Sequence, residues 1–218
     1  LEPRESFKTS RTASGWGLYF YTLPEIERLQ ADIHADLGTF YRSRRVQAWA
    51  PFALLSGAVN GHSYFLGNLA DSLTSQPNLR VLARLNEPVG TSVEMNQARE
   101  WYKEKTFYRP GGSYAKTVWV WNDTDSPQQV RLEVAVADAS GRELSVREAG
   151  VEVAAGGAEA VTMNFVMPRR EGVCLLNPRL VTSEGRCIEG VERRLMVARK
   201  SGPQTGVQGF GGHGEPFE

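Results

Sequence analysis

Hydrophobic and polar residues follow two different periods along this chain, and the change falls near residue 88. Upstream, apolar residues recur at three- and four-residue steps and then merge into one apolar run, which predicts an amphipathic helix followed by a buried strand. Downstream, apolar and polar residues alternate in short stretches separated by turn residues, which is typical of an Ig-like antiparallel sandwich. The pattern therefore predicts an α+β protein, with a short α/β segment over residues 1–87 and an Ig-like β-sandwich over residues 88–198.

The upstream helix is predicted over residues 23–44. Thr22 shortly before Pro24 is typical of a helix N-terminus, because Thr caps free N–H groups and Pro fits the first turn. Arg44 and Arg45 place positive charge at the other end, where the helix dipole favours it. One apolar stripe runs along the helix and contains Ile26, Leu29, Ile33, Leu37, Phe40 and Tyr41.

The segment after this helix is almost entirely apolar from Val46 to Leu55. Such a run predicts a strand covered on both faces, and Pro51 marks its end because proline has no N–H to donate to a neighbouring strand. Residues 64–73 suit a short helix, which the sequence from Gln76 to Asn78 ends. Residues 199–218 contain six glycines and predict a disordered tail.

The downstream half alternates strictly in places, as where Val118 and Val120 alternate with Trp119 and Trp121. The two tryptophans share one strand face. They would form either a contact strip for a carbohydrate or a protein, or a surface covered by a neighbouring part of the chain. Strands are predicted near residues 90–96, 113–122, 128–138, 142–148, 150–155, 158–166, 171–181 and 186–198.

Charge and composition narrow the range of partners. The 25 basic and 25 acidic residues give a net charge of zero, which argues against a nucleic-acid partner. No apolar run reaches the length of a membrane span, so a membrane partner is not expected either. The first residues contain no signal-peptide core, and the cellular compartment stays undecided.

The two cysteines are predicted to be unpaired. A hairpin turn through residues 183–186 would place Cys187 opposite Thr182 and Cys174 opposite a residue near Leu195. They would then lie about 25 Å apart, far beyond the roughly 7 Å that a disulfide allows between α-carbons. The three histidines are scattered along the sequence, so neither a metal site nor a cofactor is expected.

Four short sequence stretches in the downstream half carry a family resemblance. They are Pro88–Glu94 (PVGTSVE), Tyr108–Gly111 (YRPG), Val118–Asp123 (VWVWND) and Leu176–Leu180 (LNPRL). They resemble the Ig-like sandwich that follows the catalytic barrel in many clan A glycoside hydrolases, including family 2-like enzymes. The resemblance covers about half of the chain, in the strand-rich part.

The resemblance implies a role for the upstream segment. Helix 23–44 and strand 46–55 would be the last helix and the eighth strand of a (β/α)8 barrel, with Trp49 in a sugar-binding platform. Asn60 and His62 follow that strand, and active sites in this fold lie at the C-terminal ends of strands, so both would bind sugar. The alternatives are a buried core tryptophan and a solvated histidine. The implied partners are a carbohydrate and the rest of a catalytic barrel or another protein chain.

The catalytic residues remain unknown at this point. Hydrolysis in these families requires two carboxylates, but a barrel takes roughly 250 residues and only 87 precede the sandwich. Asn86–Glu87–Pro88 matches an acid/base signature of several clan A families, yet its place before the sandwich favours an inter-domain junction. Glu5 is a second candidate, as a nucleophile, without a strand around it. The chain as written is therefore not a self-sufficient hydrolase.

Two hypotheses of function follow. In the first, the chain is similar to the C-terminal part of a glycoside hydrolase and contributes sugar-binding and barrel-bracing elements without a visible catalytic pair. In the second, it is a non-catalytic interaction or structural module that uses the sandwich as a docking surface. Sandwiches serve many functions, so the fold alone does not separate the two.

Overall fold

A computed structural model of the protein describes residues 23–46, 65–66, 74–75, 77–95 and 108–199. Within these ranges the chain forms two helices and ten strands. The helices are α1 (Leu23–Ser43) and α2 (Pro77–Leu85). The strands are β1 (Phe65–Leu66), β2 (Thr74–Ser75), β3 (Val89–Val93), β4 (Ser113–Asn122), β5 (Gln128–Asp138), β6 (Glu143–Val153), β7 (Gly157–Val166), β8 (Gly172–Thr182), β9 (Cys187–Glu189) and β10 (Arg193–Val197).

The strands from β3 onward form two antiparallel sheets. One sheet has the order β10-β8-β5-β6, with β9 paired to β8, and the other has the order β3-β4-β7. Consecutive strands change sheet between β4 and β5, between β6 and β7, and between β7 and β8. The two sheets share one apolar core, which makes the protein an α+β structure with a β-sandwich arrangement.

The core between the sheets follows from the alternation along each strand. Val118 and Val120 on β4 are fully buried, whereas Trp119 and Trp121 point to the opposite face of that strand. Full burial of each large apolar side chain contributes roughly 1.5–3 kcal/mol. The fully buried core side chains from the other strands include Val93, Leu132, Val134, Val153, Phe165, Cys174, Leu176 and Leu180.

A second, smaller apolar cluster holds the helices against the sandwich. It consists of Ala35 on α1, Leu85 on α2, Trp121 on β4 and Val191. A β-carbon at Gly38 would collide with the Leu85 side chain, so only glycine allows the two helices to approach this closely.

Helix α1 ends in a Schellman motif. The Val46 N–H donates to the Tyr41 carbonyl (3.0 Å) and the Arg45 N–H donates to the Arg42 carbonyl (3.1 Å). Arg45 adopts the left-handed conformation with a φ of 55°, a position that glycine usually occupies. The motif satisfies carbonyls of the last turn and ends the helix immediately before the apolar run that starts at Val46.

Several predictions are confirmed by these bounds. The helix predicted over 23–44 is α1, and the strands predicted over 113–122 and 128–138 match β4 and β5 at both ends. Strand β3 begins at Val89, next to the proposed boundary at residue 88. That residues 1–87 and 88–198 are separate domains stays a prediction.

The prediction for the segment between the helix and the sandwich is wrong where it can be compared. Residues 65–66 form strand β1, which pairs with β2, rather than belonging to a helix over 64–73. The sequence pattern does not predict helix α2, because Pro77 inside a helix would break it. At the first position of a helix, however, Pro loses no intrahelical hydrogen bond and its fixed φ suits the helix.

Two strand boundaries also differ. The strands predicted over 142–148 and 150–155 are one strand, β6, because Gly150 stays in register opposite Arg131. The strand predicted over 186–198 is divided into β9 and β10 at Gly190. Its N–H donates to the Pro178 carbonyl (2.8 Å), and a β-carbon there would collide with the Thr91 backbone.

Both cysteines are free, as predicted. Cys174 faces Leu195 as expected, while Cys187 pairs with Val181, one residue from the predicted partner. Apart from Val46, the strand predicted over 46–55 lies outside the described residues, as does the predicted tail beyond Arg199.

Candidate functional site at the joint between helix α1 and the sandwich

Helix α1 presents two chemically different faces. Its buried face carries small and polar residues at helical spacing, namely Ala31, Ala35, Asp36 and Thr39. The opposite face carries Leu37, which is 37% exposed, and Phe40, which is 51% exposed. The polar face, rather than the apolar stripe predicted from the sequence, therefore contacts the sandwich.

We call this contact between helix α1 and the sandwich the joint. A buried ion pair lies at its centre. Asp36 of α1 pairs with Arg193 of β10, and their side chains are 5% and 2% exposed. Burial lowers the pKa of the Arg193 guanidinium to about 10, while the Asp32 carboxylate, one helical turn before Asp36, opposes that shift. Arg193 is therefore charged at neutral pH and fixes α1 to the strand that ends the larger sheet.

A buried hydroxyl pair extends the joint to β3. The Thr39 and Ser92 side-chain oxygens lie 2.7 Å apart, and the Thr39 hydroxyl also lies 2.6 Å from the Ala35 carbonyl, four residues back in the helix. Both residues are 2% exposed or less. Since a buried hydroxyl without a partner is costly, this pair fixes the position of the helix along β3.

Arg42 completes the joint at the end of α1. Its Nε donates to the Leu85 carbonyl at the end of α2 (2.7 Å), and its Nη1 donates to the Asp123 carboxylate (2.5 Å). The guanidinium also lies over the Trp121 ring, 5.4 Å from the centroid. One side chain therefore connects α1, α2 and the end of β4.

The opposite face of α1 has no comparable partners among the described residues. We call Ile33, Leu37 and Phe40 the outer stripe; Val46, just past the helix end, is 38% exposed beside it. The Arg44 guanidinium lies 4.8 Å from the centroid of the Phe40 ring. A helix whose exposed face is apolar is typical of a contact with another apolar surface.

A charged network lies on the larger sheet, away from α1. Arg179 donates to Glu133 (2.7 Å) and to Glu143 (2.5 Å), and Arg131 pairs with Glu133 (2.8 Å). The hydrogen bond from Arg179 is the main cause that lowers the pKa of the Glu133 carboxyl. All the charges of this network are paired with each other, as in a structural network.

An open groove of about 680 Å³ lies beside that network, between β5, β6 and the turn after β8. Gly150, Arg131 and Thr182 are among the residues that line it, and the lining contains no aromatic ring. Within the ranges that the structure describes, no three His, Cys, Asp or Glu side chains converge as a metal site. Neither α1 nor α2 is long and apolar enough to cross a membrane.

The site residues predicted from the family resemblance are not placed by the structure. Trp49, Asn60 and His62 all lie outside the described residues, as does Glu5. The Asn86–Glu87–Pro88 sequence is described, and it connects α2 to β3. The Glu87 carbonyl accepts a hydrogen bond from the Trp121 indole (2.9 Å), so the backbone at this position serves the joint.

The tryptophan pair on β4 does not form a continuous exposed strip. Trp121 is 1% exposed and lies beneath α1, whereas Trp119 is partly exposed. The contact strip predicted for both rings is therefore wrong, and the other interpretation, that a neighbouring part of the chain covers this face, holds for Trp121.

Sequence reasoning missed the joint. Asp36 and Arg193 read as ordinary surface charges, because a single sequence does not reveal which charged residues meet across a distance of more than 150 positions. One signal was present: Ala31, Ala35 and Thr39 repeat every four residues opposite the apolar stripe. A row of small residues on a helix allows close approach of another element.

No protein-family model matches the chain, and no curated protein matches it. Solved structures with similar backbones include a family 123 glycoside hydrolase from Clostridium perfringens, with 10% identity over 54% of this chain and 28% of that one. Others are a β-galactosidase candidate from Bacteroides fragilis, with 16% identity over 49% of this chain and 16% of that one, and a CARDB domain from Pyrococcus furiosus, with 16% identity over 51% and 90%. Each has a TM-score of 0.36, so these likenesses carry no argument about function.

Proposed function

We propose that this chain is the C-terminal part of a glycoside hydrolase of the clan A, family 2-like type, in which the sandwich braces a catalytic barrel. The observation that carries the proposal is the two-sided helix α1. Its polar face is fixed to the sandwich by Asp36 and Thr39, while its apolar outer stripe has no partner among the described residues.

The end of α1 supports the same interpretation. The Schellman motif at Arg45 ends the helix, and an apolar run starts at Val46 without an intervening polar loop. Connections between a helix and the next strand in α/β units are typically 2–6 residues. A helix followed this closely by a predicted strand of mostly apolar residues suits the last unit of a parallel barrel.

The strand order supports an Ig-like assignment of the sandwich. A three-stranded sheet faces a sheet in which β8 lies between β5 and β10, so strands distant in sequence are neighbours. Greek-key connections of this kind are found in Ig-like sandwiches. Combined with the short sequence stretches from Pro88 to Leu180, this order is the basis for the family proposal.

Trp49, Asn60 and His62 are proposed as sugar-binding residues of the complete enzyme, and none of them as a proton-transfer group. The catalytic carboxylates would come from barrel strands encoded upstream. The proposed partners are accordingly a carbohydrate and the barrel itself, which would cover the outer stripe of α1.

The test is to express the complete open reading frame that contains this chain and to assay it against a panel of 4-nitrophenyl glycosides. We expect hydrolysis of at least one glycoside. Trp49→Ala should raise KM about tenfold, as expected when one stacking contact worth about 1.4 kcal/mol is lost. Leu144→Ala, an exposed site on β6, is the matched control and should leave KM unchanged.

Absence of hydrolysis with the whole panel would contradict the proposal, as would a reading frame with no room for a barrel. The interaction-module alternative would then be preferred. The form of that alternative in which Trp119 and Trp121 together make an exposed contact strip has no support, because Trp121 is buried.

A further inference from the structure

Part of the three-stranded sheet remains open beyond the edge of α1. On β4 and β7 the outward-facing residues past Trp119 are small or polar apart from the exposed Val166 at the end of β7, and Ala160, Thr162 and Asn164 on β7 are exposed. Trp119 stands at the border of this area, between Ser92 beneath the helix and exposed Ala160 on the neighbouring strand. The large ring thus adjoins an exposed part of the sheet.

The ring of Trp119 is held in one orientation. Its indole N–H donates to the Glu94 Oε2 atom at 2.8 Å, and both side chains are partly buried. Glu94 itself continues β3, with its N–H bonded to the Thr117 carbonyl (2.8 Å). The hydrogen bond uses one carboxylate oxygen and leaves Oε1 without a partner in the described part of the chain.

Hydrogen-bonding groups lie within reach of the ring. Thr117 pairs with Thr162, so Thr162 is the diagonal neighbour of Trp119, at about 7–8 Å in a regular ladder. Asn164 follows two residues further on the same face. Within the described residues, neither side chain has a hydrogen bond to another group.

We propose that Trp119, Glu94, Thr162 and Asn164 form a carbohydrate-binding platform on the open part of this sheet. A pyranose ring presents C–H groups on one side, which pack against an indole through many small dispersion contacts. Hydroxyls of the stacked sugar would donate to Glu94 Oε1 and bond with Thr162, and a neighbouring unit of the same oligosaccharide would bond with Asn164. A few well-placed polar groups around an apolar surface are the usual composition of a small-molecule site.

The same chemistry argues against a quaternary ammonium ligand. Recognition of such cations uses cages of several aromatic rings, whereas Trp119 is the single ring on this face past the helix edge among the described residues. The neighbouring groups are instead hydroxyl and amide groups, which can both donate and accept, as sugar hydroxyls require.

The platform is independent of the proposed hydrolytic function, because all four residues lie in the sandwich. The test uses the 218-residue chain once circular dichroism shows that it is folded. Cellohexaose, xylohexaose and β-1,4-galactohexaose would be titrated separately by isothermal calorimetry, with tetramethylammonium as a fourth probe. We expect at least one oligosaccharide to bind, with a Kd of about 1 mM or tighter, corresponding to about 4 kcal/mol.

Three variants locate the binding. Trp119→Ala should weaken it at least about tenfold. Glu94→Gln keeps an acceptor for the indole N–H but removes the charge, so it should weaken binding less than Trp119→Ala. Phe40→Ala removes another exposed ring, on α1, and is the matched control that should not change binding.

The proposal is wrong if none of the three oligosaccharides binds the unaltered chain, or if only tetramethylammonium binds. It is also wrong if Trp119→Ala binds as tightly as the unaltered chain. Should Trp119→Ala lose its fold by circular dichroism, Trp119→Phe replaces it, because phenylalanine keeps a stacking ring without the N–H. Trp119→Phe should bind more weakly than the unaltered chain, and equal binding would overturn the proposal.

Discussion

The core between the two sheets and the joint beneath α1 hold their neighbours together by different physical means. The core is apolar, with Val118, Leu132, Phe165 and Leu176 all fully buried. The joint instead buries an ion pair between Asp36 and Arg193, and it adds a hydroxyl pair and a bridging arginine. Apolar packing tolerates substitutions that conserve the volume of the side chain, whereas ion pairs and hydrogen bonds require one geometry.

This difference indicates that the two faces of α1 have separate roles. The helix contacts the sandwich through small and polar residues, although it carries a large apolar face elsewhere. Such a contact fixes orientation more than it buries apolar area. Among the described residues, the apolar face of α1 has no comparable contact, and in the proposed function the barrel covers it.

The largest change in the free energy of unfolding is expected for substitutions in the ion pair between Asp36 and Arg193. Arg193→Ala leaves Asp36 buried without its cation, and breaking a buried pair in this way costs about 3–5 kcal/mol of the free energy of unfolding. The double variant Arg193→Met, Asp36→Leu should lose much less, since both charges are removed together. Urea unfolding followed by circular dichroism measures both, and a cost below about 1 kcal/mol for Arg193→Ala would show that the joint is not fixed by this pair.

The core should respond to volume and tolerate changes of shape. Leu176→Ala should cost about 2–5 kcal/mol because it leaves a cavity, whereas Leu176→Met should cost less than about 1.5 kcal/mol. In the joint the corresponding conservative change, Arg193→Lys, should not be tolerated, because lysine cannot reproduce the planar guanidinium. Equal tolerance at both sites, in the same urea experiment, would remove the distinction between core and joint.

The contact between the two helices should be sensitive to a single methyl group. Gly38→Ala places a β-carbon into the Leu85 side chain, and such overpacking costs about 1–3 kcal/mol. The sign of the change in the free energy of unfolding is informative, because alanine at an exposed helix position would instead raise that free energy by roughly 0.5–1 kcal/mol relative to glycine. Thermal unfolding gives the sign directly, and an increased Tm would place Gly38 away from Leu85.

The two thiols should differ in reactivity. Burial raises the pKa of the Cys174 thiol to about 11, and Cys187 is exposed. Because the pKa of Cys174 is higher in the folded than in the unfolded chain, its buried neutral thiol contributes fully to stability below the unfolded pKa. That contribution is lost as the pH rises through the folded pKa of about 11. At pH 8 Ellman's reagent should therefore modify one thiol rapidly in the native chain and both in guanidinium; the Cys187→Ser variant should show no rapid reaction.

The smallest effect is expected at the end of α1. Arg45 holds a left-handed conformation, which costs an L-residue about 1–2 kcal/mol relative to glycine. Arg45→Gly should therefore raise the free energy of unfolding, by about 0.5–1 kcal/mol after the greater flexibility of the unfolded chain is counted. Arg44→Gly, one residue earlier, is the control and should not stabilise; a loss of stability in Arg45→Gly would contradict the role assigned to the Schellman motif.

The sandwich and α1 were predictable because their signals are local. Strict alternation around Val118 and Val130 set the bounds of β4 and β5, and the helical period set the bounds of α1. Helix α2 was not predictable in the same way, since Pro77 has opposite meanings inside a helix and at its first position. The division at Gly190 depends on the approach of Thr91, a contact from another part of the chain.

The joint was not predictable for a related reason. A helical period shows which residues share a face, but it does not show which face is buried when the apolar one is kept for another partner. Here the sequence pattern places Leu37 and Phe40 in one apolar stripe, and the structure places Asp36 and Thr39 on the face that contacts the sandwich. The sugar-binding residues Trp49, Asn60 and His62 stay predictions.

The intact mass of the protein isolated from its native source tests the central claim most directly. If this chain is the C-terminal part of a glycoside hydrolase, we expect a single polypeptide far heavier than the 24.1 kDa of this chain, with room for a barrel that covers the outer stripe of α1. A mass that matches the 218 residues would contradict it, because no room would then be left for the barrel strands that supply the catalytic carboxylates.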